Sequence, residues 1–135
     1  MTRDELLDAY VEGQRDFIGA DLAGVDLAGA DLAGADLTDA DLAGADLTDA
    51  YLWGVTGNMR EIKSMHLDGW SVAYTFDRLQ IGCENHSIEE WRGFGDEAIA
   101  KMDRRALDWW RKWKDTILKI IEMSPATPTG HEVRS

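Results

Sequence analysis

The chain has 135 residues, 44% of them hydrophobic, with 14 Lys and Arg against 26 Asp and Glu and a formal net charge of −12. That acidity argues against long nucleic acid as a partner, because the polyanionic backbone is gripped through Lys and Arg. A single cysteine excludes an intramolecular disulfide framework; with no signal peptide and no apolar run of membrane-spanning length, the expected setting is a reducing cytoplasm without a membrane partner.

Residues 1–14 read as an N-terminal capping helix. Thr2 and Glu5 have the capping-box spacing ahead of Leu6, Leu7, Tyr10 and Val11, which lie on one side of a short helix, and Gly13 is placed to end it.

Residues 15–57 carry a strict rhythm of five. Leu22, Leu27, Leu32, Leu37, Leu42, Leu47 and Leu52 recur every fifth residue, each with Ala or Val two places before it. Helices repeat near 3.6 and strands at 2, so a period of five demands a backbone that turns a corner once per unit. The unit is Ala-Asp-Leu-x-x, as in Ala20-Asp21-Leu22-Ala23-Gly24, and Arg15-Asp16-Phe17-Ile18-Gly19 is a degenerate first copy. This segment resembles the pentapeptide-repeat family. The resemblance implies a right-handed quadrilateral β-helix of about two coils, four units to a coil, with Leu and the small residue filling the interior and Asp facing water. Twenty residues per coil would stack Asp16 beneath Asp36, Asp21 beneath Asp41 and Asp26 beneath Asp46 at about 4.8 Å. Such like-charge pairs repel by only about 1 kcal/mol in water.

The charge is uneven. Residues 15–57 hold one base and nine acids, whereas residues 58–135 hold twelve bases and thirteen acids. Long-repeat relatives mimic duplex DNA and occupy topoisomerases, but two coils make a stack on the order of 10 Å tall, against about 34 Å for one DNA turn. Solenoid ends expose unpaired backbone and an open core, so both flanks are expected to act as caps.

Residues 58–123 read as a small α+β domain, a hairpin plus helices. Asp68-Gly69 is a two-residue turn between Ile62–Leu67 and Trp70–Thr75, pairing Leu67 with Trp70, His66 with Ser71, Met65 with Val72 and Lys63 with Tyr74. A third short strand is placed through Leu79-Gln80-Ile81. Ser87 and Glu90 form a second capping-box spacing for a short helix carrying Trp91. Ile99, Met102, Ala106, Trp109, Trp113, Ile117 and Ile120 step by three or four, the face of one long helix or of two broken near Asp103, itself a candidate N-cap. Residues 124–135, with Pro125, Pro128 and Gly130, read as a flexible tail.

Candidate chemistry is sparse. Cys83-Glu84-Asn85-His86 is the only local pair with metal-ligand types at C-x₂-H spacing, and His66, Asp68 and Glu90 are not placed by spacing to complete a zinc site. The plain structural alternative is a buried thiol with His86 near a helix start. No phosphate loop, serine elbow or H-E-x-x-H is present, so no catalytic residue, metal or cofactor is assigned. The last third concentrates Trp91, Arg92, Arg104, Arg105, Trp110 and Arg111, candidates to grip a small anionic, nucleotide-like ligand by bidentate hydrogen bonds and stacking. Trp109 and Trp113 are expected in the core, with Trp110 turned about 100° away.

The leading expectation is a non-enzymatic binding or scaffold protein, self-associating to cover its solenoid ends and aromatics. Alternatives are a receptor for a small anionic ligand or a basic protein surface, a DNA-mimic inhibitor, and an enzyme using Cys83 and His86.

Overall fold

Alternation of Asp-Leu with a small residue builds the first half of the molecule one corner at a time. The computed structural model describes residues 1–127. In each unit the carbonyl of the central Leu or Phe accepts the N–H of the residue three places on, from Phe17 O with Ala20 N (3.0 Å) to Leu52 O with Val55 N (3.1 Å). Gly or Asp stands at the third position of these turns with positive φ, for example Gly44 at 71° and Asp39 at 59°. Such a turn requires that conformation there.

Successive levels join at a spacing of twenty residues. Parallel bridges link Asp16 with Asp36, Asp21 with Asp41, Asp26 with Asp46, Asp31 with Tyr51 and Asp36 with Thr56. Each is made by paired backbone bonds, such as Leu22 N to Asp41 O (2.8 Å) and Asp41 N to Ala20 O (2.9 Å). The stacking is β-helix-like, and the seven repeat leucines are 0–2% exposed in one continuous apolar column. Removing such side chains from water contributes about 1.5–3 kcal/mol each.

A lid helix, α1 (Arg3–Val11), closes the first level. Its capping box forms as expected, with Thr2 Oγ1 accepting Glu5 N (3.1 Å) and Glu5 Oε1 accepting Thr2 N (2.8 Å). Leu6 is buried in the column, and Leu7 and Tyr10 pack against it. Val11 departs from the expected apolar face and is 84% exposed. The lid is also polar glue: Arg3 donates to Asp26 O (2.7 Å) and Ala28 O (3.2 Å), Tyr10 Oη to Ala33 O (2.7 Å), and the N-terminal ammonium to Asp21 O (3.1 Å). Carbonyls that the first level turns outward are thereby satisfied.

Beyond the repeat, β1 (Lys63–Leu67), β2 (Trp70–Tyr74), β3 (Arg78–Ile81) and β4 (Glu84–Ser87) form an open antiparallel sheet in chain order. The hairpin has the expected register throughout, and Asp68 (φ 49°) and Gly69 (φ 85°) both take the left-handed conformation of a type I′ turn. Strand β4 was not expected; it pairs Leu79 with His86 and Gln80 with Asn85. Three helices follow: α2 (Ile88–Gly93), α3 (Asp96–Met102) and α4 (Ala106–Met123). Asp103 does mark the break between α3 and α4, but it is not the N-cap of α4. Arg105 holds that position, and Asp103 Oδ1 accepts the Arg105 N–H (2.7 Å) in the connecting turn.

The sheet works as a partition. Ala73 joins the leucine column, whereas Val72, Tyr74, Leu79 and Ile81 pack with the helices around Trp91, Ile99, Trp110 and Ile117. The expected tail from Ser124 is docked as far as Thr127: Tyr74 Oη donates to Ser124 O (2.6 Å), Thr127 N to Arg60 O (2.8 Å), and Ala126 is buried. Tyr74 offers a donor where α4 leaves its last carbonyls open, which fixes the chain's exit. Residues 128–135 of that expected tail lie outside the described residues.

Candidate functional site

Four indoles meet where the sheet faces its helices, three of them tied in place by their N–H. Trp91, on α2, donates to Leu79 O (2.6 Å) and is buried. Trp109 donates to Leu67 O (2.9 Å) and Trp113 to Asp68 Oδ2 (3.2 Å), which holds both half-buried at the hairpin end of the sheet. Trp110, which the periodic pattern turned away from the core, is 4% exposed, with its ring 5.1 Å from that of Trp91. The buried residues of α4 are Ala106 and Ile117, both on the expected face, with Trp110 and Ile121 in place of the expected Trp109 and Ile120. Amphipathic indoles with an outlying acceptor settle at the boundary, leaving the interior to Trp110.

Trp70, Trp91, Trp109 and Trp110 wall a cleft of about 70 Å³ together with the buried Ile81 and Ile99, and its polar lining is Cys83, Glu84 and Asp103. Trp70 and Trp109 stand 5.7 Å apart at 34°. Trp110 Nε1 is the one buried side-chain nitrogen or oxygen among the described residues without a hydrogen-bond partner. A buried donor left unanswered costs about 1–3 kcal/mol, so it calls for explanation. Glu84 Oε1 lies 2.9 Å from His86 Nε2, and Asp103 Oδ1 lies 3.6 Å from Arg105 Nε. The backbone N–H of Arg105 holds the Asp103 carboxyl below its ordinary range, so that group is ionised at neutral pH.

Of the residues expected to grip an anion, the structure brings Trp91 and Trp110 together and leaves the guanidinium groups elsewhere. Arg111 pairs with Asp96 (2.5 Å) and Arg92 with Glu89 (3.8 Å). Arg104 and Arg105 are exposed at the junction of α3 and α4. None of the four lines the cleft, whose charged lining is acidic. Sequence reasoning missed Trp70, Glu84 and Asp103 as neighbours, since β2, β4 and the α3–α4 turn meet only in the folded chain.

Cys83 is a free, exposed thiol rather than the buried one expected as the plain alternative, because it sits in the β3–β4 turn. His86 packs edge-on against Trp91 (5.3 Å) and Phe94 (5.0 Å). Among the described residues no group of three or more His, Cys, Asp and Glu side chains is placed to hold a metal, and no helix is long and apolar enough to cross a membrane.

The leucine column, the corner turns and the ladder of twenty agree with comparison against known families. No curated protein and no solved structure matches the chain. A family model described as Pentapeptide repeats matches residues 16–54 in eight copies, and that segment is a pentapeptide-repeat segment.

Proposed function

We propose that the protein is a non-enzymatic ligand-binding scaffold. In this reading the repeat forms two square, right-handed coils, residues 15–57, that serve as a rigid acidic block capped by residues 1–14. Residues 58–123 form the recognition domain mounted on its far end. The observation that carries the reading is the aromatic cleft, a small apolar hollow with few polar groups, lined as ligand sites are though below their usual volume. The arrangement lacks the companion features of catalysis: Cys83 is on a solvent-exposed turn, and His86 is engaged with Glu84 and two aromatic rings.

Thermal-shift screening of the purified protein against a fragment library tests the proposal. A genuine ligand raises the unfolding temperature progressively, because stabilisation grows as RT ln(1 + [L]/Kd). Failure of every fragment to stabilise the protein at millimolar concentration would overturn it.

Self-association is a second reading with one observation in its favour: Trp53 is 52% exposed on the repeat. Open ladder ends do not themselves call for a second copy, because side chains of the same chain cap them. Sedimentation showing only monomer at micromolar concentration would dispose of this reading.

A further inference from the structure

We infer that the wall of the repeat carrying Tyr51 and Trp53 is where the protein meets a second copy of itself, side by side about a twofold axis parallel to the coil axis. The inference rests on the second reading above, self-association, and names the surface that mediates it. In the square-coil arrangement residues 30–34 and 50–54 form one wall, with Tyr51 bridged to Asp31 and Trp53 O accepting Gly34 N at 2.8 Å. Tyr51 occupies the place that Asp holds in the units before it, and Trp53 the place of Thr48 and Ala43. Neither ring belongs to the leucine column: Tyr51 is 39% and Trp53 52% exposed. Trp and Tyr are the side chains on which interfaces most depend.

Charge selects both the wall and the partner. Each of the other three walls stacks one aspartate on another, Asp16 with Asp36, Asp21 with Asp41 and Asp26 with Asp46, so a copy laid against any of them sets acid against acid. On the aromatic wall Tyr51 stacks on Asp31, which leaves one acid. Arg15, the single base of residues 15–57, borders the same wall, its Cδ 4.0 Å from where a Cβ on Gly34 would stand. It is held there by donating to Tyr10 O (2.8 Å) and Gln14 O (2.9 Å), with Cζ 3.6 Å from the centre of the Tyr10 ring. Neither Arg15 nor Asp31 forms an ion pair among the described residues. Asp31 lies under Tyr51 at one side of the wall, and Arg15 reaches Gly34, under Trp53, at the other. A twofold axis parallel to the coil exchanges the two sides and keeps the level. Asp31 therefore faces Arg15 of the partner subunit, and Tyr51 faces Trp53 of the partner subunit, each contact being made twice as an isologous interface requires.

Sedimentation velocity of the full chain across the micromolar range tests the surface. Tyr51→Asp with Trp53→Thr rewrites the last unit in the pattern of the chain's own Asp46-Leu47-Thr48, which the fold accepts, and should weaken the dimer by about tenfold or more. Arg15→Glu and Asp31→Lys should each weaken it by about tenfold, because like charges then meet across the axis. An equimolar mixture of those two variants should regain the affinity of the unaltered protein, since every charge at the two positions then faces its opposite. Thermal unfolding reports whether each variant is folded; should Asp31→Lys fail, Asp31→Asn keeps the turn and is expected to weaken the dimer severalfold. A dimer unaffected by the aromatic replacement, or a mixture no tighter than either charge variant alone, overturns the inference while self-association stands. Monomer alone throughout that range removes both.

Discussion

The side-chain oxygen of Gln80 accepts the backbone N–H of Leu52 at 2.6 Å, across 28 residues of chain and inside the protein. Leu52 is the last leucine of the repeat, and its N–H points where a further level would have supplied a carbonyl. A side chain of the sheet therefore ends the ladder. Asn85 Nδ2 does the complementary task on Ala50 O (3.0 Å), and Asn58 Nδ2 on Ala40 O (3.0 Å). Replacing Gln80 by Met keeps the volume and deletes the acceptor. The buried Leu52 N–H is then unpaired, with an expected loss of about 1–3 kcal/mol in urea unfolding; an unchanged unfolding midpoint in Gln80→Met would show that the bond does not set the cost.

The repeat aspartates prove to be turn residues as well as surface charge. Oδ1 of Asp16, Asp21, Asp26, Asp31, Asp36, Asp41 and Asp46 each accepts the N–H two residues on, at 3.0–3.4 Å. Asn makes the same turn without the charge. Asp41→Ala should therefore cost about 1 kcal/mol, whereas Asp41→Asn should be neutral or slightly stabilising at low salt, because its bridge partner is Asp21. Equal destabilisation by Ala and Asn would refute the turn role.

Two glycines resist substitution for different reasons. Gly44 has φ 71° and only ordinary contact around an added Cβ, so Gly44→Ala meets backbone strain alone, about 1–2 kcal/mol. At Gly57 a Cβ would lie 2.1 Å from Ile62 O, a clash with backbone that the buried segment has no room to relieve. Gly57→Ala is expected to lose more stability than Gly44→Ala, by about 1 kcal/mol or more. Chemical denaturation of the two variants side by side reverses the argument if the order is reversed.

Acid and alkali act through different groups. Glu5 and Glu90 are held below their ordinary value of 4.5, first by the backbone N–H of Thr2 and Ser87 and then by those residues' hydroxyls. A lowered folded pKa contributes stability that is present above 4.5 and lost as pH falls through the folded value. Glu5→Gln with Glu90→Gln keeps both capping boxes, and should make the fall of unfolding temperature below that pH shallower. Burial pushes Tyr74 above its ordinary 10.0, so its contribution is whole below pH 10 and is lost as pH rises past the folded value. Tyr74→Phe should be less stable at neutral pH through loss of the Ser124 bond, yet less sensitive to alkali; an unchanged alkaline limb would count against this assignment.

Features written in neighbouring residues were legible before the fold was seen. The rhythm of five, the Asp68-Gly69 turn with its register, both capping boxes and the break at Asp103 each depend on contacts a few residues apart, where spacing alone sets geometry. The burial of Trp110 and Ile121 in place of Trp109 and Ile120 was not legible. Trp109, Trp110 and Trp113 are equally apolar on paper, and their depth depends on whether Leu67 O and Asp68 stand within reach. Nor did the resemblance covering the repeat carry information about β4 or the cleft, since neither lies within it.

Spacing and composition were enough to wind the leucines inward, because a repeated local turn needs nothing distant to define it. The folded chain alone assigned Gln80, Asn85 and Asn58 to the edge of that winding, and Trp110 with Glu84 and Asp103 to one cleft. An isolated polar residue has no local signature, and its role depends on which unpaired backbone or buried donor the rest of the chain brings to it.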